Sequence, residues 1–288
     1  MGDVVDNRYT ASVVIPAHNE ATVIGRLLTA LTDDVASSEL EIVVVCNGCV
    51  DDTADVVREV APHARIVELT EASKYAALVA GDRTASCFPR IYIDADVVID
   101  AGSVRALLAA LRDPGALVAA PERLLDLRDA SLLVRAYHQV WQRLPAVRDG
   151  LYGRGVLAIS AVGFPRIAHR PHVIGDDLHV HHAFSPIERR IVTTAQSQIR
   201  VPVTVGALVQ RRTRAALGNT ELVGREGDHL DTTGNSVRSL LRLTMREPRL
   251  LPRLPVFVAV TVAARGRARR LRRRTQPVGW LRDESSRT

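Results

Sequence analysis

Asp94-Ala95-Asp96 closes a hydrophobic run, and its two carboxylates stand two residues apart. Ile91-Tyr92-Ile93 reads as a buried strand, so both acids fall where that strand leaves its sheet. Hard carboxylate oxygens suit Mg²⁺ or Mn²⁺, and a cation held there can neutralise a diphosphate as its bond to a sugar breaks. Ahead of it stands Val13-Val14-Ile15-Pro16-Ala17-His18-Asn19-Glu20, a β-branched strand stopped by proline and followed by polar residues. The two segments together point to chemistry on a nucleotide-activated sugar. Further candidates cluster downstream: Asn47 to Asp52, Lys74, and Asp176-Asp177 with His179, His181 and His182 just beyond.

The elements needed to position these groups alternate. Residues 11–15 form a strand, and a helix opening at Asn19-Glu20 carries Val23, Ile24, Leu27, Leu28 and Leu31 at helical spacing. Ile42–Val45 is a second strand ending in the Asn47-Gly48 turn, and Asp51–Val60 a helix with carboxylates in its first turn. Ala64–Leu69, Ile91–Ile93 and Ala116–Ala120 continue as strands, with helices over Lys74–Ala85 and Asp100–Leu111. This rhythm predicts an α/β fold with a mostly parallel central sheet flanked by helices. Ligands of such sheets bind beyond the carboxyl ends of the strands, where the polar clusters fall. After about residue 121 the rhythm changes: Leu124–Leu144 reads as helix, Tyr152–Ser160 as a glycine-containing turn and short strand, Asp176–Phe184 as helix, and Ile199–Val205 as a late strand. No GxGxxG follows the first strand and no GxxxxGK[ST] occurs, which excludes the usual dinucleotide and P-loop fingerprints.

The 288 residues are 47% hydrophobic, enough for a substantial core. The net charge of +6 is uneven: RGRARRLRRR at 265–274 holds seven arginines, and without them the chain is near neutrality at about −1. A specific nucleic-acid partner would call for a basic stripe through the folded body instead. Cys46, Cys49 and Cys87 are an odd set, which speaks against a secreted disulfide framework and for free thiols in a reducing, cytoplasmic compartment. The Cys46-Asn47-Gly48-Cys49 spacing is that of a redox pair or half a metal site, but no second CxxC completes it and Asn-Gly reads as a turn. No basic region followed by an apolar stretch opens the chain, so no signal peptide is expected. The apolar run Val256–Ala264 is too short to span a bilayer. Followed by the arginines, it predicts an interfacial element on an anionic membrane, at the inner face of the cell membrane.

In order and spacing these segments resemble family 2 glycosyltransferases with the GT-A fold: VVIPAHNE at 13–20, NGCVDDT at 47–53, Lys74 in EASKYAALVAG, DAD at 94–96, YGRG at 152–155 and GDDL at 175–178. The likeness covers roughly residues 10–215. It implies a Rossmann-like nucleotide-sugar-binding half over 10–120, an acceptor-binding and base-bearing half over 121–215, and a helical extension with a basic tail over 216–288. By resemblance, Ala17, Asn19, Glu20, Asn47, Asp51 and Lys74 hold the donor nucleotide, while Asp94, Ala95 and Asp96 hold the metal and diphosphate. Asp177 is the expected catalytic base, with Asp176 in the glutamate position of the family's Glu-Asp pair. His181 or His182 would touch metal or diphosphate. Gln210-Arg211-Arg212-Thr213-Arg214 resembles the QxxRW segment of processive relatives, with Thr213 at its arginine and Arg214 at its tryptophan. Arg211, Arg212 and Arg214 could still cradle diphosphate, and the altered motif favours transfer of single sugars.

Many relatives carry aspartate where Cys46 stands. A thiol accepts the N–H of a uracil ring poorly, so GDP- and dTDP-sugars stay open beside UDP-sugars. The acceptor, lipid-linked or saccharide, is expected at residues after 121, with Tyr137, His138, Trp141, Tyr152 and Arg154 as candidates. At helical spacing Tyr137 and Trp141 read equally as core residues. Two rivals are a sugar-1-phosphate nucleotidyltransferase, which would begin with a glycine-rich loop where this chain has PAHNE, and a non-catalytic nucleotide-sugar-binding scaffold.

Overall fold

The computed structural model describes residues 9–33, 39–168, 176–226 and 237–272. The chain forms two compact units, each assembled from separated stretches.

The first unit comprises residues up to 125 with 153–170 and 183–199. Its strands are β1 (Ala11–Ala17), β2 (Leu40–Asn47), β3 (Arg65–Leu69), β4 (Arg90–Ile93), β5 (Val97–Val98), β6 (Val118–Asp126), β7 (Val156–Ile159) and β8 (Arg189–Arg200). They form one sheet in the order β3-β2-β1-β4-β7-β6-β8-β5. β1 pairs in parallel with β2 and β4, and β2 with β3. β7 enters antiparallel between β4 and β6, so the parallel arrangement is confined to the half that receives β1 to β4. β2 is buried along its whole length, the mark of a strand covered on both faces.

Helices α1 (Ile24–Thr32), α2 (Thr53–Val60), α3 (Lys74–Thr84) and α4 (Ala101–Ala110) connect these strands. α1 buries Ile24, Leu27, Leu28 and Leu31, as their spacing demands. It starts four to five residues later than expected. Asn19 adopts a left-handed backbone, φ 51°, and Glu20 O first accepts from the N–H groups of Val23 and Ile24.

The second unit comprises 126–152, 171–182 and 200 onward. Its helices are α5 (Leu132–Trp141), α6 (Pro145–Asp149), most of α8 (Asp176–Ala183), α9 (Val205–Glu226), α10 (Val237–Arg246) and α11 (Leu254–Arg272); the short α7 (Pro165–Ala168) belongs to the first unit. α11 packs on α9 and α5, with Phe257 stacked on Tyr137 at 5.2 Å. Two expectations are corrected here. The helix expected from Leu124 starts only at Leu132, because β6 runs on to Asp126 and Ser131 caps the helix. The late strand lies at 189–200, since Ile199 registers against Val97 of β5, and α9 begins at Val205. The polar residues of RRIVTTAQSQIR hid it from a search for apolar runs.

Candidate active site

At the carboxyl ends of β1 and β2 two loops are stapled together. Asn47, 1% exposed, donates its side-chain amide to Ala17 O at 2.7 Å, and His18 Nδ1 lies 2.6 Å from Asn47 O. Asn19 Oδ1 accepts from Val50 N at 2.8 Å, and Thr53 Oγ1 accepts from Glu20 N at 2.8 Å. Asp51 accepts from Ala21 N at 3.1 Å and from the Thr53 hydroxyl and amide. Partial burial works against the Asp51 carboxylate, but these donors, Thr53 first, outweigh it and hold its pKa below the ordinary value. The loop is therefore preorganised and carries negative charge at neutral pH. Gly48 makes it possible: its φ is +59°, and a Cβ there would meet Ala72 N at 2.7 Å.

Cys46 is buried beside Cys49. Desolvation first, then its neighbours Cys49 and Glu68, push its thiol up to about 12, so it remains protonated at neutral pH. Cys49 Sγ in turn accepts from Asn19 N at 3.4 Å and faces Ala17 O at 3.6 Å. The thiols thus act as small packing groups beneath the first loop.

Lys74 opens α3, which Ser73 caps by accepting from Ala76 N. Its Nζ reaches Asp94 Oδ1 at 2.7 Å, twenty residues away in sequence. Asp94 follows β4 directly, and its amide donates to Gly155 O at 2.9 Å. Gly155 has φ +66°, and a Cβ there would lie 2.3 Å from Val97 Cγ2 and 3.6 Å from Asp94 Oδ2. Only a residue without a side chain fits beside this carboxylate. Ala95 is buried, and Asp94 and Asp96 on either side of it are both half-buried.

Among the described residues no group of three or more His, Cys, Asp or Glu side chains is gathered to hold a metal alone. Two carboxylates at a strand end fit a Mg²⁺ or Mn²⁺ that completes its shell with diphosphate and water.

In the second unit, Asp177 lies in α8 with Oδ1 accepting from Leu178 N at 2.9 Å; Asp176 begins that helix, and its side chain lies outside the described residues. His181 Nδ1 accepts from Leu151 N at 3.3 Å, and its ring meets Tyr152 and His182 edge-on at 5.4 and 5.2 Å. The Tyr152 hydroxyl donates to Ala146 O at 2.7 Å. Trp141, largely buried, receives the Arg212 guanidinium over its ring at 5.3 Å. Arg211 donates to Arg200 O at 3.1 Å, and Arg214 lies half-buried on the same helix, α9. Arg154 belongs to the first unit, where it is 2% exposed and donates to Pro121 O at 2.7 Å.

Thr53 and Gly155 are further positioning residues, which the sequence pattern does not mark as such. Thr53 was visible as a hydroxyl at a helix start, but its partner Glu20 is thirty-three residues away.

Residues 12–164 match the family model described as Glycosyl transferase family 2. No curated protein matches the chain in sequence. Among solved structures it is similar to mannosyltransferase PcManGT from Pyrobaculum calidifontis in complex with GDP-Man and Mn²⁺, with a TM-score of 0.61 and 21% identity over 91% of this chain and 78% of that one. It is also similar to glucosyl-3-phosphoglycerate synthase from Mycobacterium tuberculosis in complex with Mn²⁺, UDP and glucosyl-3-phosphoglycerate, with a TM-score of 0.54 and 20% identity over 75% and 79%. A third is TarS residues 1–349 from S. aureus, with a TM-score of 0.52 and 14% identity over 91% and 82%. At these identities the structural likeness concerns the fold. The family match spans more than half of the chain and includes both stapled loops, Lys74 and the Asp94–Asp96 turn; the chain belongs to glycosyl transferase family 2 and is a glycosyltransferase of GT-A fold.

Proposed function

We propose that the chain is an inverting, metal-dependent transferase that moves one sugar from a nucleoside-diphosphate sugar to an acceptor hydroxyl. The observation that carries this reading is the Asp94 carboxylate at the end of β4, paired with Lys74 and held beside Gly155 through its backbone amide. The complexes of two similar proteins, one with GDP-Man and Mn²⁺ and one with Mn²⁺ and UDP, support it.

In this proposal Ala17, Asn19, Glu20, Asn47 and Asp51 line the nucleotide, and Lys74 places its ammonium near the phosphates. Asp94 and Asp96 would hold Mg²⁺ or Mn²⁺, which supplies positive charge to the leaving diphosphate when bound. Asp177, beside Asp176, takes the acceptor proton as the hydroxyl oxygen attacks from the face opposite the leaving group, which inverts the anomeric centre. His181, His182, Arg211, Arg212 and Arg214 are candidates for diphosphate contact. Tyr152 is the acceptor contact we favour, with Trp141 and Arg154, both buried, as the further acceptor candidates. Residues 10–120 would serve the donor, 121–215 the acceptor, and 216–288 would be an extension. A cytoplasmic location belongs to the same proposal. No described helix is long and apolar enough to cross a membrane.

The test is release of nucleoside diphosphate from UDP-, GDP- and dTDP-sugars, with and without Mn²⁺. One donor should turn over only with metal, and Asp96→Asn should abolish that turnover while the protein stays folded by circular dichroism. Failure of every donor to bind or react would overturn the reading.

A further inference from the structure

α11 has a buried stripe and an exposed one. Phe257, Val260, Ala264 and Ala268 recur at helical spacing and are buried. On the exposed side, beginning in the 3₁₀ turn just before the helix, Leu251, Val258 and Val262 lead into Arg265, Arg269 and Arg272 at spacings of seven, four and three, and all six are exposed. The outward face is apolar over its first half and cationic over its second. A surface helix ordinarily turns polar side chains to water, yet Val258 and Val262 are 45% and 63% exposed.

α10 repeats the pairing, with Leu241 and Met245, 58% and 83% exposed, beside exposed Arg242 and Arg246. Charge here has one sign. Residues 237–272 contain ten arginines and one acid, Glu247, which already pairs with Arg143 at 2.8 Å.

We propose that the outer face of α11, with the exposed side of α10, docks on an anionic phospholipid bilayer. The valines, leucines and methionine enter the headgroup zone, and the arginine stems lie along it with their guanidinium groups on lipid phosphates. α11 lies on the surface and does not cross it, since its arginine-rich second half leaves it too polar to span. Nucleic acid would attract the arginines equally, but it offers nothing to the exposed apolar row; that row decides for lipid. None of the residues assigned to donor or acid–base chemistry belongs to this face, so this inference and the transferase reading fail separately.

The full-length protein is floated with vesicles of phosphatidylcholine alone and of phosphatidylcholine mixed with phosphatidylglycerol. Binding should require the anionic lipid and weaken with salt. Replacing Arg265, Arg269 and Arg272 by serine should lower partitioning about 100-fold, at about fivefold per arginine. Val258→Ser with Val262→Ser, which leaves the charge unchanged, should also lower it, with circular dichroism and vesicle-free donor turnover unchanged in both variants. Absence of binding to any vesicle would overturn the proposal. So would binding lost in the arginine variant but intact in the valine variant, which is the plain polyanion attraction that nucleic acid shares. Lipid-free self-association abolished by the valine variant would assign the face to a second copy of the chain and overturn it as well.

Discussion

Lys74 and Asp94 meet at 2.7 Å with both side chains partly exposed, so the pair contributes little to stability, under about 1 kcal/mol. Its weight lies in the site: the ammonium keeps one Asp94 oxygen in place and brings a cation to where phosphates would bind. Lys74→Met should leave the unfolding midpoint nearly unchanged while weakening nucleoside-diphosphate binding about tenfold, the loss of roughly one charge-assisted hydrogen bond. Calorimetry with Mn²⁺ present reads this, and an unchanged affinity would remove Lys74 from the donor site. Gly155 constrains the same carboxylate from the other side. Gly155→Ala combines a left-handed φ with a Cβ 2.3 Å from Val97 and should cost about 2–4 kcal/mol in urea unfolding. Gly206→Ala in α9, where the added carbon meets nothing nearer than 3.9 Å, should cost nothing.

At the scale of elements, the loop after β1 and the loop after β2 form one unit, with Thr53 as the hinge pin. Its hydroxyl accepts from Glu20 N and donates to Asp51 Oδ1, and its own residue opens α2. Thr53→Val keeps the shape and removes both bonds, leaving the Glu20 amide without its partner. Loss of about 1–2 kcal/mol is expected, with KM for the donor rising more than kcat falls. Equal fractional losses in kcat and kcat/KM would instead place Thr53 in the transition state. The helix start displaced from Asn19 to Ile24 belongs to this loop as well, because Asn19 spends its side chain on Val50 and its backbone on a left-handed turn. The residues that sequence patterns assign to a helix cap serve as a clamp between loops.

For the molecule as a whole, the second unit holds a titratable group that should govern acid stability. His138 is 6% exposed, and neither ring nitrogen has a hydrogen-bond partner among the described residues. Burial first, then the charges of Arg211 and Arg212, push its pKa down from 6.5 to about 3. The folded chain keeps the ring neutral, whereas the unfolded chain takes up a proton below pH 6.5. The stability is therefore fully present above that pH and is lost as pH falls toward about 3, with a slope approaching ~1.4 kcal/mol per pH unit. His138→Phe keeps an aromatic ring against Tyr137 and Trp141 and should flatten the slope between about pH 6 and 4, read by urea unfolding across that range. An unaltered slope would transfer the acid sensitivity to other groups.

The sequence by itself determined the alternation of strands and helices from Ala11 to Ala110, the turn at Asn47-Gly48 and the Asp94–Asp96 pair at the end of β4. These follow from local rules: period-2 and period-3.6 burial, proline and glycine backbone limits, and capping within a few residues. Only the tertiary structure decided that β7 joins β4 antiparallel, that Lys74 rather than solvent meets Asp94, and that Arg154 is spent on Pro121 O. It also decided which face of α11 is left to water. Those outcomes depend on which distant backbone and side-chain groups satisfy one another once buried, and no local pattern carries that information.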